Sequence, residues 1–126
     1  MKRALVIDDS KGILDFFQIA LRKKGFFVEV AADGDDGIRK YDAGNFDLVI
    51  TDINMPIHDG NEVCEHIRKS NSPETPVIAM SGTPLALSGE HFDAVIDKPF
   101  SLKALFDQIQ FLLSADENRN KIAVYG

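Results

Sequence analysis

Three aspartates, a serine and a lysine, each placed where a short apolar run ends, are the residues of this chain best equipped for chemistry. Asp8 and Asp9 follow RALVI, Asp52 closes DLVIT, Ser81 closes VIAM and Lys98 follows AVID. If those runs are neighbouring strands of one sheet, three carboxylates, one hydroxyl and one ammonium meet in a single crevice. Carboxylates that close repel, and without a counter-ion at least one is pushed toward its protonated form. A divalent cation removes the conflict. Oxygen-only ligands with room for water and phosphate suit magnesium better than zinc, which favours nitrogen and sulfur. A carboxylate beside such a cation can attack phosphorus and form an aspartyl phosphate, while cation and ammonium balance charge on the phosphoryl oxygens. Asp52 is the central acid and so the expected nucleophile. After it come Ile53, Asn54, Met55 and Pro56, then Asp59-Gly60, a turn-rich connection that can offer a backbone carbonyl to the metal.

The elements that must position these groups follow from the hydrophobic pattern. Five runs read as strands: residues 3–8, 27–31, 47–52, 77–81 and 94–97. Several are nearly continuous in apolar residues, as expected of strands covered on both faces. Longer amphipathic stretches alternate with them. Residues 11–24 carry Ile13, Phe16, Phe17, Ala20 and Leu21 at helical spacing, with Ser10 to cap the first turn and Gly25 to end the helix. Residues 35–43 and 61–70 make shorter helices, the first closed by Gly44 and the second followed by Pro73 and Pro76. From Leu102, the residues Leu105, Phe106, Ile109, Leu112 and Leu113 keep one face of a last helix apolar. Strand and helix in alternation imply an α/β fold: an open, doubly wound parallel sheet that binds ligands beyond the carboxyl ends of its strands.

Composition narrows the function further. The chain has 126 residues, 44% hydrophobic and 27% charged, the profile of one globular domain. No apolar run approaches the roughly 20 residues that span a bilayer, and Met1-Lys2-Arg3 leads into too short an apolar run for a signal peptide. No membrane association and a cytoplasmic location are therefore expected. The net charge of −6 comes without a dense Lys/Arg stripe, so direct nucleic-acid binding is not expected. Cys64 is the only cysteine, and it reads as a small packed side chain. His58, His66 and His91 lack ligand-like spacing and read as surface or loop residues. Residues 1–115 form the expected domain and 116–126 a C-terminal tail without a periodic apolar face.

Taken in order, Asp8-Asp9, the Asp52-Ile-Asn-Met-Pro run ending at Asp59-Gly60, Ser81 after VIAM, and Lys98-Pro99-Phe100 resemble the receiver domains of bacterial response regulators. The resemblance covers about residues 3–115. It implies a flavodoxin-like strand order 2-1-3-4-5 and phosphorylation of Asp52 from a phosphohistidine on a sensor histidine kinase or phosphotransfer protein. It further implies that Asp9, Asp52 and the Asn54 backbone carbonyl hold Mg2+, with Asp8 assisting through water. Ser81 would hydrogen-bond the phosphoryl group, Lys98 would pair with it, and the Lys98-Pro99 bond would be cis. Asn54 and Thr83 stand where the family tunes loss of the phosphoryl group. Such a domain is a signalling module, catalysing only its own phosphorylation and dephosphorylation, and it relays its state to a downstream effector that the sequence does not identify.

Two departures from the family pattern matter. Val95 stands three residues before the lysine, where the family commonly has an aromatic residue that reorients on activation. Only ten residues, 84–93, join the fourth and fifth strands, against about 10–12 for a crossover with its helix, so the fourth helix should be short or irregular. Output is then expected through the last helix and this connection. Phe111, off the apolar stripe, is an expected anchor for a partner, for a second copy in a homodimer, or for the C-terminal tail. Among rivals, a dehalogenase-type phosphotransferase needs a second aspartate where Asn54 stands, and a flavin protein needs a hydroxyl- and glycine-rich loop where the acids lie. A pseudo-receiver that binds partners without being phosphorylated is the remaining alternative.

Overall fold

The computed structural model describes residues 1–55, 57–82 and 92–125, with side chains described through residue 114. Five strands, β1 (Arg3–Ile7), β2 (Phe27–Ala31), β3 (Leu48–Asp52), β4 (Val77–Ser81) and β5 (Ala94–Asp97), pair in parallel in the order β2-β1-β3-β4-β5. The described helices are α1 (Lys11–Lys23), α2 (Gly34–Ala43), α3 (Gly60–Arg68) and α4 (Leu102–Tyr125). The expected doubly wound α/β sheet and its flavodoxin-like order are therefore present. Residues 83–91, which take in Thr83, His91 and most of the connection expected to hold a short fourth helix, lie outside the described residues.

Alternation along the strands builds a core on each face of the sheet. Ala4, Val6, Leu48, Ile50, Ile78, Met80 and Ile96 point to one side, against Leu14, Phe17 and Leu21 of α1 and Leu105 and Ile109 of α4. Leu5, Ile7, Val49 and Val77 point to the other, against Tyr41 of α2 and Val63, Cys64 and Ile67 of α3. Both faces being covered, all five residues of β3 and all five of β4 are buried, which is why these segments read as unbroken apolar runs.

Polar caps set the helix ends. Ser10 Oγ accepts from the Ile13 N–H at the start of α1, and Gly25, at φ 90°, turns the chain out of it. Asp33 accepts from the Asp36 N–H at 2.8 Å and Asp59 from the Glu62 N–H at 2.9 Å, capping α2 and α3. Ser101 Oγ accepts from the Ala104 N–H at 3.0 Å at the start of α4. That helix runs on to Tyr125, through the point at residue 116 where the tail is expected to begin. At the amino ends of the strands, Arg68 donates to the Pro73 and Thr75 carbonyls and pairs with Asp93, whose carboxylate also accepts from the Val77 N–H. This clamp fixes the starts of β4 and β5 to the end of α3. Among the described residues, no helix is long and apolar enough to cross a membrane.

Candidate functional site

The site lies at the carboxyl end of the sheet and takes its geometry from strand register. Ile7 of β1 is level with Thr51 of β3, Asp52 with Met80 of β4, and Ser81 with Asp97 of β5. Asp8, Asp52, Ser81 and Lys98 therefore leave adjacent strands at nearly one height. Asp8, Asp9 and Asp52 each offer a carboxylate oxygen, and the three oxygens lie within 4.8 Å of one another. Lys98 Nζ is 3.1 Å from Asp8 Oδ2 and 3.3 Å from Asp52 Oδ1. The backbone joins in, since the Lys98 N–H donates to the Ser81 carbonyl at 2.7 Å. Asp8, Asp52 and Ser81 are buried, Lys98 is partly buried, and Asp9 is exposed at the mouth.

Electrostatics make the cluster unsatisfied as it stands. Burial, reinforced by the Asp8 charge, raises the Asp52 carboxyl above its ordinary pKa, and Lys98 offsets this only in part. Burial by itself would lower the Lys98 pKa, but its bonds to Asp8 and Asp52 outweigh that and raise it, so the ammonium keeps its proton. Three carboxylates against one ammonium leave an excess of two negative charges. A hard divalent cation with oxygen ligands would neutralise that excess, and the donor set of carboxylates without nitrogen or sulfur fits Mg2+. Asp8 is already committed at both oxygens, accepting from the Ser10 N–H at 2.8 Å and from Lys98.

The connection from β3 to α3 is held close to the acids. The Ile53 N–H donates to the Met80 carbonyl and the Gly60 N–H to the Ile53 carbonyl. A Cβ on Gly60 would sit 2.4 Å from the Asp52 carbonyl oxygen, so only glycine fits there. Asn54 is exposed within this connection, two residues past Asp52. The Lys98-Pro99 peptide bond is cis. Val95 is 42% and Phe111 68% exposed, on β5 and α4.

Several contributors were not anticipated from the sequence. Asp59, read as a turn residue, is the cap of α3, and its spacing to Glu62 is the helix-start signal that would have revealed it. Gly34 permits α2 to abut the β3–α3 connection, since its Cβ would lie 2.1 Å from the His58 carbonyl oxygen, a contact no local pattern announces. Ile57 adopts φ 73°, also without a sequence signal. His58 and His66 are each half-exposed and bonded to a carboxylate, Glu62 at 2.7 Å and Asp42 at 2.8 Å.

Comparison with known proteins follows the same line. The family model of the response regulator receiver domain matches residues 4–110. Response regulator ArlR of Staphylococcus aureus strain Mu50 is 30% identical over 131 aligned positions, which take in 100% of this chain and 59% of that protein. The chain thus spans about three-fifths of the length of such curated relatives. Among solved structures, a CheY-like receiver domain protein from Methanospirillum hungatei JF-1 superposes with a TM-score of 0.86 at 31% identity, covering 94% of this chain and 98% of that one. Response regulator protein TrrA from Thermotoga maritima, solved in complex with Mg(2+)-BeF, gives 0.81 at 31% identity, covering 89% and 99%. With the fold, the acid cluster and the matched residues in agreement, this chain belongs to the response regulator receiver domain family of two-component signalling.

Proposed function

We propose that Asp52 accepts a phosphoryl group from the phosphohistidine of a sensor histidine kinase or phosphotransfer protein. The observation that carries this reading is the meeting of three carboxylate oxygens within 4.8 Å of one another beside a lysine bridging two of them. Asp9, Asp52 and the Asn54 carbonyl are the groups proposed to hold Mg2+, with Asp8, already bonded to Ser10 and Lys98, assisting through water. When bound, Mg2+ would offset the carboxylate charge and balance charge on the phosphoryl oxygens. An Asp52 Oδ forms the new P–O bond as the P–N bond of the phosphohistidine breaks, the electron pair leaving on the imidazole nitrogen. Ser81 Oγ donates to one phosphoryl oxygen and Lys98 pairs with another. The domain's own chemistry then consists of this step and of hydrolysis of the product.

A phosphoryl group adds roughly −1.5 to −2 charge at Asp52, which draws Lys98 and Ser81 toward it. Because the Lys98 N–H is bonded to the Ser81 carbonyl, movement of either residue is passed to the ends of both β4 and β5. Exposed Val95 on β5 and Phe111 on α4 lie on elements leading away from this point, and they are the side chains we assign to output toward an effector or a second copy.

The test is intact mass after incubation with acetyl phosphate and Mg2+. The wild type should gain one phosphoryl group, whereas Asp52→Asn and an EDTA control should gain none. No addition under any condition would favour the pseudo-receiver alternative.

A further inference from the structure

β2 is an outer strand of the sheet, paired on one side with β1 and on the other, among the described residues, with no strand. Its backbone alternates between the two sides. The Phe27 N–H donates to the Lys2 carbonyl, and the Ala31 carbonyl accepts from the Asp8 N–H, so Phe27, Glu29 and Ala31 turn their peptide groups toward β1. Val28 and Val30 turn theirs outward. A row of outward donors and acceptors on an edge strand is a template along which another extended chain can pair.

Two side chains stand on that template. Lys40 of α2 reaches over the edge, and its Nζ donates to the outward Val30 carbonyl at 2.5 Å, which occupies an acceptor that a neighbouring strand would need. Asp36, one turn earlier on α2, steadies the same ammonium at 3.3 Å. Glu29, half-buried, lies between the two outward residues. A second copy laid antiparallel along this edge by two-fold symmetry makes its hydrogen-bonded pairs between Val28 of one copy and Val30 of the other, in both directions. That register sets Glu29 directly opposite the same residue of the second copy, and like charges so placed destabilise a strand pair. The covered carbonyl is likewise met twice. A foreign strand meets Glu29 once and can answer it with a cation, whereas a second copy must repeat the charge, so the two obstacles together are directed at self-pairing.

We infer that Lys40 and Glu29 hold the β2 edge closed against strand addition by a second copy of this chain. The inference is independent of the phospho-acceptor reading, because neither residue belongs to the reactive end of the sheet. The experiment is sedimentation velocity on the full chain over about 5–300 µM in about 0.15 M salt, joined to hydrogen exchange at single amides. Lys40→Met uncovers the Val30 carbonyl at similar side-chain length, Glu29→Thr removes the repeated charge, and Lys40→Arg keeps a donor at the edge. Val30→Pro deletes an outward N–H at an edge position where proline is tolerated. Circular dichroism checks that each variant is folded.

Expected is a rise of about thirtyfold or more in the self-association constant when Lys40→Met and Glu29→Thr are combined, and of about three- to tenfold for each alone, with Lys40→Arg within about twofold of wild type. Exchange at the Val28 and Val30 amides should slow as the double variant associates, and adding Val30→Pro should return it to the wild-type state. A folded double variant no more associated than wild type would overturn the inference. So would association that leaves those two amides exchanging as before, or that persists with Val30→Pro, since the contact would then lie on another surface. Should the double variant fail to fold, the two single variants decide by the same readings.

Discussion

Replacing Asp52 with asparagine should stabilise the metal-free protein. Asp52 is 7% exposed, and its carboxylate lies within 4.8 Å of oxygens of Asp8 and Asp9, against one ammonium at 3.3 Å. With an effective dielectric constant of about 20, each repulsion is about 3.5 kcal/mol and the Lys98 attraction about 5 kcal/mol, a balance of about 2 kcal/mol against the charged form. Exposure of Asp9 weakens its share through screening, whereas burial of Asp52 adds to the penalty. The net expectation is a gain of about 1–2 kcal/mol for Asp52→Asn, or about 3–6 °C in melting temperature for a domain of this size. The measurement is thermal unfolding by circular dichroism at pH 7.5 in EDTA and again in Mg2+. With about 10 mM Mg2+ and a dissociation constant of about 1 mM, the wild type should recover about 1.4 kcal/mol and the mutant far less. The pH dependence has a definite sign. Because folding raises the Asp52 pKa from its ordinary 3.8, the folded state holds that proton more tightly, so the mutant's advantage is full at neutral pH and narrows as pH falls through the raised value. An asparagine variant that melts below the wild type in EDTA would show that the Lys98 pair outweighs repulsion and burial, and would refute the reasoning. Equal stabilisation of both proteins by Mg2+ would place the cation elsewhere.

Three further outcomes are expected. Gly34→Ala drives a Cβ to 2.1 Å from backbone at His58 and should cost about 1–3 kcal/mol, whereas Gly37→Ala meets the end of the Ile7 side chain and should cost less, by chemical denaturation of both. Arg68→Ala and Asp93→Ala should each lose about 1.5–3 kcal/mol, and a double-mutant cycle should show non-additivity because the two side chains bond each other, while the bond Asp93 accepts from the Val77 N–H adds to its own loss alone. Lys98→Ala leaves Asp8 and Asp52 without their shared ammonium and should lower stability in EDTA by about 1–3 kcal/mol, a loss that Mg2+ reduces in a thermal-shift series.

The parts of the fold that were legible in the sequence are those governed by local period. β2, β4 and β5 match their expected bounds, and β1 and β3 differ by one residue at an end, because covered strands demand unbroken apolar runs. α1 was set by its caps and apolar stripe. α2 and α3 begin one residue earlier than expected because capping by Asp33 and Asp59 admits Gly34 and Gly60 into the first turn. The extent of α4 was not legible: the polar residues after Ala115 carry no core period, and helix persists there nonetheless. The acids, the serine and the lysine were legible because each ends a strand, and strand ends in one sheet must converge. Contacts between connections, such as Gly34 against His58, depend on how two distant turns meet, and no window of sequence records that.

The parallel register that levels Asp52 with Met80 and Ser81 with Asp97 has a consequence for how such a domain can diversify. The reactive groups are fixed by a ladder of backbone hydrogen bonds, which is indifferent to the side chains of the crossovers. A crossover can therefore be shortened or rewritten, changing which partners recognise the domain, while the reactive end keeps its dimensions. Chemistry and address are carried by separable stretches of one chain, so a lineage can alter the second without renegotiating the first.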